Sequence, residues 1–396
     1  MRDSPPHVIR RSGLLLALSF AGFVSLGLPD GLLGVAWPSI RVSFDLPIDA
    51  LGPLLLVWTA GFVLASFGIG RLLARFGTAP LLAIGFLSIA SALVGYSVAP
   101  RWGVMIAFGA LAGLGAGVID ASLNTHVAAQ HGARALNWMH ACWGVGAASG
   151  PALMARLLAA GHAWQLGYRA VGVWQLAPAV CFAATRASWP PARPSPRSGG
   201  SQTPGLARTL GLAPAWLGIA AFFLYTGVES SAGTWVFSLF TQARGMPPRT
   251  AGTWVSGYWA CLALGRLIFG WIAGRTSVAG WLRPCIAGIA GGAGLVALGG
   301  SGAAGGLGLA LLGLCCGPIY PSLIASTRSR VGEEHAANAV GFQVAAAALG
   351  QSLLPAALGV LAARVGLEVV GPALLAGALA LFAAHERLAA RRGEIP

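Results

Sequence analysis

The sequence predicts an all-α integral membrane protein, with twelve transmembrane helices forming two pseudo-symmetric six-helix bundles. Three observations lead there. Of 396 residues, 56% are hydrophobic and only 9% are charged, against about 25% charged in an ordinary water-soluble domain, so water cannot be the solvent on all sides. The apolar residues fall in runs of about 20, the length an α-helix needs to cross a hydrocarbon core. The second half of the chain also repeats the first at a constant offset, as duplicated architectures do.

Taken in order, the apolar blocks between Gly, Pro and Arg breakers are 13–37, 50–70, 79–99, 103–127, 135–160, 167–185, 214–240, 251–273, 281–300, 303–326, 337–363 and 367–385. Arg10 and Arg11 ahead of the first block imitate a secretory signal. No small-residue cleavage site follows, and the block runs on through Pro29 and Asp30 to Trp37, so it is expected to be the first span. The one long polar interruption, Ala187 to Leu212, contains WPPARPSPRSGGSQTPG. Its Pro, Ser and Gly cannot build a packed core, which predicts a linker. The expected domains are residues 1–186, a linker over 187–212, and residues 213–396.

Within 110–123 the chain reads ALAGLGAGVIDASL, and within 310–323 it reads ALLGLCCGPIYPSL, identical at eight of fourteen positions. The same offset of 200 sets Gly27 on Gly227, Gly70 on Gly270 and Arg75 on Arg275. Two parallel halves about a central site is the plan of one large class of transporter.

Arginine sets the expected orientation, because cytoplasmic connections accumulate positive charge. With the N-terminus inside, 17 Arg face the cytoplasm and seven face the other side, with Arg266 left inside the eighth span. Both termini and the linker are therefore expected in the cytoplasm, in a multi-pass protein of the inner (plasma) membrane, as a monomer in the lipid bilayer. The net charge of +14 is spread singly along the chain, with no basic stripe interleaved with aromatics, which argues against a nucleic-acid partner. The six Cys lie in apolar blocks without metal or disulfide spacing; no metal and no cofactor are expected.

Only 11 acidic residues occur, and three of them, Asp30, Asp120 and Glu229, fall inside spans. A charge at the bilayer centre costs about 2.5–3.5 kcal/mol on insertion scales, so such groups face water, pair, or carry protons. A carboxyl in low dielectric disfavours its charged form, which suits a group that must load and release a proton. All three are expected in proton coupling, Asp120 foremost. Around them stand candidate solute ligands. In the fourth span, Gly113, Gly117, Asp120 and Asn124 make one stripe that gives lipid nothing. In the fifth, Asn137, His140 and Gly144 share a face, with groups able to donate to and accept from a polar solute. Tyr225 stands one turn before Glu229, and Asn338 and Gln343 offer polar groups in the eleventh span.

Each has a plainer alternative: the stripe as a packing seam, Asn137 and His140 as helix-end groups, Glu229 as the partner of Arg266. In the first span, Pro29 removes a backbone donor and Gly27, Gly31 and Gly34 loosen the helix, so a break is expected near its centre, although close packing also accounts for the glycines. Trp37, Trp58, Trp235 and Trp259 can stack on a ring, but membrane proteins also place Trp at interfaces.

At several of these positions the chain resembles the major facilitator superfamily. That family carries G-x-L-x-D-R-x-G between its second and third spans; here Gly70, Leu72, Arg75 and Gly77 match, while Ala74 takes the acidic place and Gly274 its repeat. The resemblance implies a gate or loop role for Gly70, Arg75, Gly77 and Arg275, without the family's acidic partner. Within the superfamily, GLPDGLLGVAWP (27–38), GLGAGVIDASLN (113–124), RALNWMHACWGVGAASGP (134–151) and GVESSAGTW (227–235) look closest to the fucose permease group of proton-coupled sugar symporters. That resemblance implies proton coupling and sugar binding for Asp30 and Asp120, with Asp where that permease has Glu in the fourth span.

The expected function is therefore secondary transport of a small polar solute, such as a sugar, by alternating access with proton symport. The alternative is proton-driven efflux of drugs or metabolites. Efflux members carry G-x-x-x-G-P-x-x-G-G in the fifth span; Gly146, Gly150 and Pro151 match, but Met154 and Ala155 replace the paired glycines. No H-E-x-x-H, P-loop or nucleophile elbow occurs, so an enzyme is not expected.

Overall fold

The computed structural model describes residues 6–190, 205–272, 278–300 and 302–390. Its helices are α1 (Pro6–Asp30), α2 (Leu32–Ser43), α3 (Leu51–Phe76), α4 (Thr78–Val98), α5 (Trp102–Ala159), α6 (Trp164–Trp174), α7 (Leu176–Ala184), α8 (Leu206–Leu210), α9 (Ala213–Ser238), α10 (Pro248–Ile272), α11 (Val278–Leu298), α12 (Ala303–Cys316), α13 (Ile319–Val331), α14 (Glu333–Val365) and α15 (Val370–Ala390). Helices alone satisfy backbone polar groups within one segment, which is what lipid demands. Among the described residues, nine helical segments are long and apolar enough to cross a membrane. The other three expected spans fall on the second limb of α5, on α6 with α7, and on α9. The all-α expectation is met.

Breaks inside spans occur where sequence withdraws a donor. The first span is interrupted at Gly31, two residues after Pro29, as expected. The sixth is interrupted at Gln175, three residues before Pro178, and the tenth at Gly317 and Pro318. Proline lacks the N–H that would bond the carbonyl four residues back. In contrast, the expected loop over 128–134 is helical. In a straight helix Asn124 and His140 would stand about 24 Å apart, yet their side chains meet at 3.0 Å. The chain therefore doubles back within α5 and makes the fourth and fifth spans from its two limbs.

Among the described residues, two of the single-residue links are glycines at positive φ. Gly77 joins α3 to α4 at φ 78°, and Gly332 joins α13 to α14 at φ 81°. Only glycine enters this left-handed region without a Cβ penalty, so these turns are written directly in the sequence.

The chain divides into two compact units. One holds the described residues up to Leu32 and from Val57 through α7; the other holds Leu33–Leu56 and the described residues from Gly205 onward. In the first, α5 packs on α1 and α4, and α4 on α6 and α7; in the second, α9 packs on α14 and α15, and α12 on α10 and α11. The second unit also takes α2 and the start of α3: Gly34 lies against Gly233 and Thr234, and Gly52 against Ala356.

The sequence repeat reappears as repeated geometry. A Cβ on Gly113 would strike the carbonyl of Trp58, and one on Gly313 the carbonyl of Tyr258. Likewise Gly117 lies against the carbonyl of Phe62, and Gly317 against that of Leu262. Each pair is displaced by the same 200 residues, so both units use one helix crossing, which small residues let approach backbone to backbone. Replacing Gly113 or Gly313 by Ala is expected to destabilise its own unit by about 1–3 kcal/mol, the usual cost of overpacking. The thermal midpoint of the purified protein measures this, and both substitutions should act alike.

Candidate functional site

In the first unit, α1 and the two limbs of α5 carry the candidate polar groups. Asp30, the last residue of α1, accepts a 2.9 Å hydrogen bond at Oδ2 from the indole Nε1 of Trp143 on the second limb of α5. This approach depends on Gly27, which lies against the Trp143 carbonyl, and on Gly31, which lies against Pro151 and the Ala147 carbonyl. Asp120 is on the first limb of α5 and lies within electrostatic reach of Asp30. One turn on, Asn124 Oδ1 is 3.0 Å from His140 Nε2, so with this amide assignment the imidazole donates from Nε2. The other flank of His140 meets Phe23 edge to face, with ring centroids 5.2 Å apart.

Asp30, Asp120, Asn124, Asn137 and His140 are all half-buried. In the stripe expected from spacing, Gly113 and Gly117 pack on α3, and Asp120 and Asn124 are half-buried. Asn137 lies one turn before His140 on the same limb.

The second unit arranges its charges differently. Glu229 on α9 is buried; Tyr225 donates its hydroxyl to Glu229 Oε2 and also reaches the Cys316 carbonyl at 3.1 Å. Arg266 Nη2 of α10 is 3.9 Å from Glu229 Oε1, and Tyr258 donates to the Glu229 backbone carbonyl at 2.9 Å. The ion pair weighed as the plainer alternative for Glu229 is thus present. Tyr225, 1% exposed, is committed to it. Tyr320, at the repeat position of Asp120, stands edge to face against Phe222 at 5.1 Å. The polar pair Asp120 and Asn124 thus has Tyr320 and Ile324 as its counterparts in the second half.

Gln343 is buried, accepts from Thr327 Oγ1 at 2.8 Å and fills the space left by Gly218. Asn338, in the second turn of α14, donates to Thr209 of α8 at 3.2 Å, and His335 meets the same hydroxyl at 2.9 Å. Both amides therefore hold helices together. Trp37 and Trp235 are fully buried and donate to the carbonyls of Ile48 and Pro355, which makes them packing residues.

Of the loop residues, Gly70 and Arg75 are exposed at the end of α3, with the Arg75 guanidinium 5.3 Å from the Phe76 ring centroid. Gly77 makes the turn described above. Arg275 lies outside the described residues, as does the centre of the linker. Sequence reasoning missed Trp143 as the partner of Asp30 and Gln175 as a mid-span donor. Their signals were a Trp beside His140 and a Gln in an otherwise apolar block.

A family model described as the Major Facilitator Superfamily matches residues 18–355. Among curated proteins, Bypass of stop codon protein 6 of Saccharomyces cerevisiae is 23% identical over 403 residues, covering 91% of this chain and 79% of that protein. The fold is similar to a crystal structure of the E. coli fucose:proton symporter FucP, with a TM-score of 0.65 at 18% identity over 96% of this chain and 98% of that one. It is also similar to the nucleoside transporter NupG, with a TM-score of 0.77 at 13% identity over 94% and 98%. With this family model matching most of its length, the chain, helical and duplicated among the described residues, belongs to the major facilitator superfamily.

Proposed function

We propose that the chain carries a small, neutral, polar solute such as a sugar or nucleoside across the inner (plasma) membrane by alternating access of residues 1–186 and 213–396, with proton symport. The observation that supports this best is the half-buried set Asp30, Asp120, Asn124 and His140. It offers two carboxyl groups for a proton, and an amide and an imidazole for hydroxyls, on α1 and the two limbs of α5. FucP, by its own description, couples a sugar to a proton, and NupG carries nucleosides, so both solute classes fit a scaffold of this shape.

Coupling is assigned to Asp30 and Asp120. Glu229 has its charge answered by Arg266 and is read as architectural; Tyr225, Asn338 and Gln343 go with the packing they make. Asn137 joins His140 as a solute contact. The termini and the linker over 187–212 are placed in the cytoplasm by the arginine asymmetry.

The test is flux in proteoliposomes carrying a panel of labelled neutral monosaccharides and nucleosides, with the pH gradient imposed in either direction. Symport predicts accumulation on the alkaline side. Accumulation on the acidic side identifies the efflux alternative and overturns the assignment.

A further inference from the structure

Asp30 ends α1 at a joint whose backbone is short of donors. Pro29 has no N–H, so the Ser25 carbonyl, four residues earlier, is denied its helical partner. In the sixth span Pro178 likewise denies the Trp174 carbonyl its partner, and the helix is interrupted at Gln175. These two faults meet. Gln175 Nε2 donates to the Ser25 carbonyl at 2.8 Å, and Trp174 Nε1 donates to Ser25 Oγ at 3.1 Å. Gln175 is 0% exposed and Ser25 is 4% exposed.

The other end of the Gln175 amide, Oε1, is buried with no hydrogen-bond partner. A buried acceptor left unanswered is costly, so the residue is retained for its donor. Turned over, the amide would set its oxygen against the Ser25 carbonyl, which fixes the assignment. The joint has a second peculiarity. Gly31 lies against the Ala147 carbonyl, which Pro151 deprives of a donor in the same way. It is also where the chain passes from one compact unit, ending at Leu32, to the other, beginning at Leu33.

We propose that Gln175 is a positioning residue for Asp30: it returns to Ser25 the hydrogen bond that Pro29 withholds, and so sets the angle of the joint that carries the Asp30 carboxyl. The inference rests on the reading of Asp30 as a proton carrier, but donor replacement can be tested without transport. Pro29→Ala restores an N–H four residues after Ser25. If Gln175 acts by replacing that donor, Pro29→Ala must rescue its loss.

The experiment compares the wild type, Gln175→Leu, Pro29→Ala and the double variant, purified as full chains. Two readouts are taken: amide hydrogen exchange over residues 24–34, and the pH midpoint of the protonated-carboxyl infrared band identified by its loss in Asp30→Asn. Gln175→Leu is expected to speed exchange at the joint by about tenfold or more and to move the band's midpoint by about half a pH unit or more. The double variant is expected to return both towards wild type. Additive effects without recovery show a space-filling role and overturn the proposal, as does rescue of exchange with an unmoved midpoint in Gln175→Leu. Should Gln175→Leu not fold alone, recovery of folded protein in the double variant supports the proposal, and no recovery overturns it. If Asp30→Asn removes no titrating band while exchange obeys the cycle, the reading of Asp30 as a proton carrier falls and the donor replacement stands.

Discussion

Asp120→Asn is expected to abolish accumulation of solute against its gradient while leaving equilibrium exchange nearly intact. An amide keeps the shape and hydrogen-bonding capacity of the side chain but cannot take a proton, so steps that need only binding survive. Uphill uptake driven by a pH gradient should fall by about tenfold or more, whereas exchange stays within about threefold of wild type, a split that separates coupling from binding. Asp30→Asn is expected to show the same split with some loss of exchange, because the Trp143 indole that donates to its Oδ2 keeps only a neutral acceptor. Undiminished accumulation in both variants would remove the two carboxyl groups from coupling. Loss of exchange and accumulation together would make them solute ligands only.

Arg266→Leu is expected to be the most destabilising single substitution in the second unit. It leaves Glu229 buried, without the guanidinium 3.9 Å away, and removing one member of a buried pair costs about 3–5 kcal/mol. Tyr225 and Tyr258 still donate to Glu229, so the network is strained rather than dissolved. The double variant Arg266→Leu with Glu229→Leu should recover most of that loss, because two apolar side chains of comparable volume need no charge compensation. Thermal unfolding of the four proteins in one detergent measures the cycle. If Arg266→Leu melts within a degree or two of wild type, the pair is not holding α9 to α10. If the double variant still accumulates solute, Glu229 has no part in coupling, which fits its assignment here.

These two expectations show why similar residues in the two halves do different work. Asp30 and Asp120 are half-buried and Asp30 accepts from the neutral Trp143 indole, while Glu229 faces Arg266 and two tyrosines. A scan for acids inside apolar blocks ranks all three alike. The distinction comes from a partner 37 residues away in sequence on another helix, and spacing alone offered Arg266 only as one possibility to weigh.

Asn338 and Gln343 teach the same lesson. They looked useful because a central site needs polar groups from both halves, yet Gln343 caps a gap at Gly218 and Asn338 anchors α8. Helical periodicity places a residue on a face but does not say which neighbour that face meets. The break at Gly31 was readable for the opposite reason, and the turns the structure shows at Gly77 and Gly332 have an equally local cause. They depend on local backbone chemistry, a missing N–H or a missing Cβ, which a few adjacent residues carry in full.

By itself the sequence determined the solvent, the helical content, the duplication and the break beside Pro29. Each of these follows from composition or from interactions within a few residues along the chain. The tertiary structure decided that Glu229 is the carboxyl group paired with Arg266. It also decided that Trp143 meets Asp30 and that Gln175 meets Ser25 across 150 residues. Hydrogen bonds and ion pairs act over about 3–4 Å, so their partners are set by how helices cross, and crossing is decided only when the whole bundle packs.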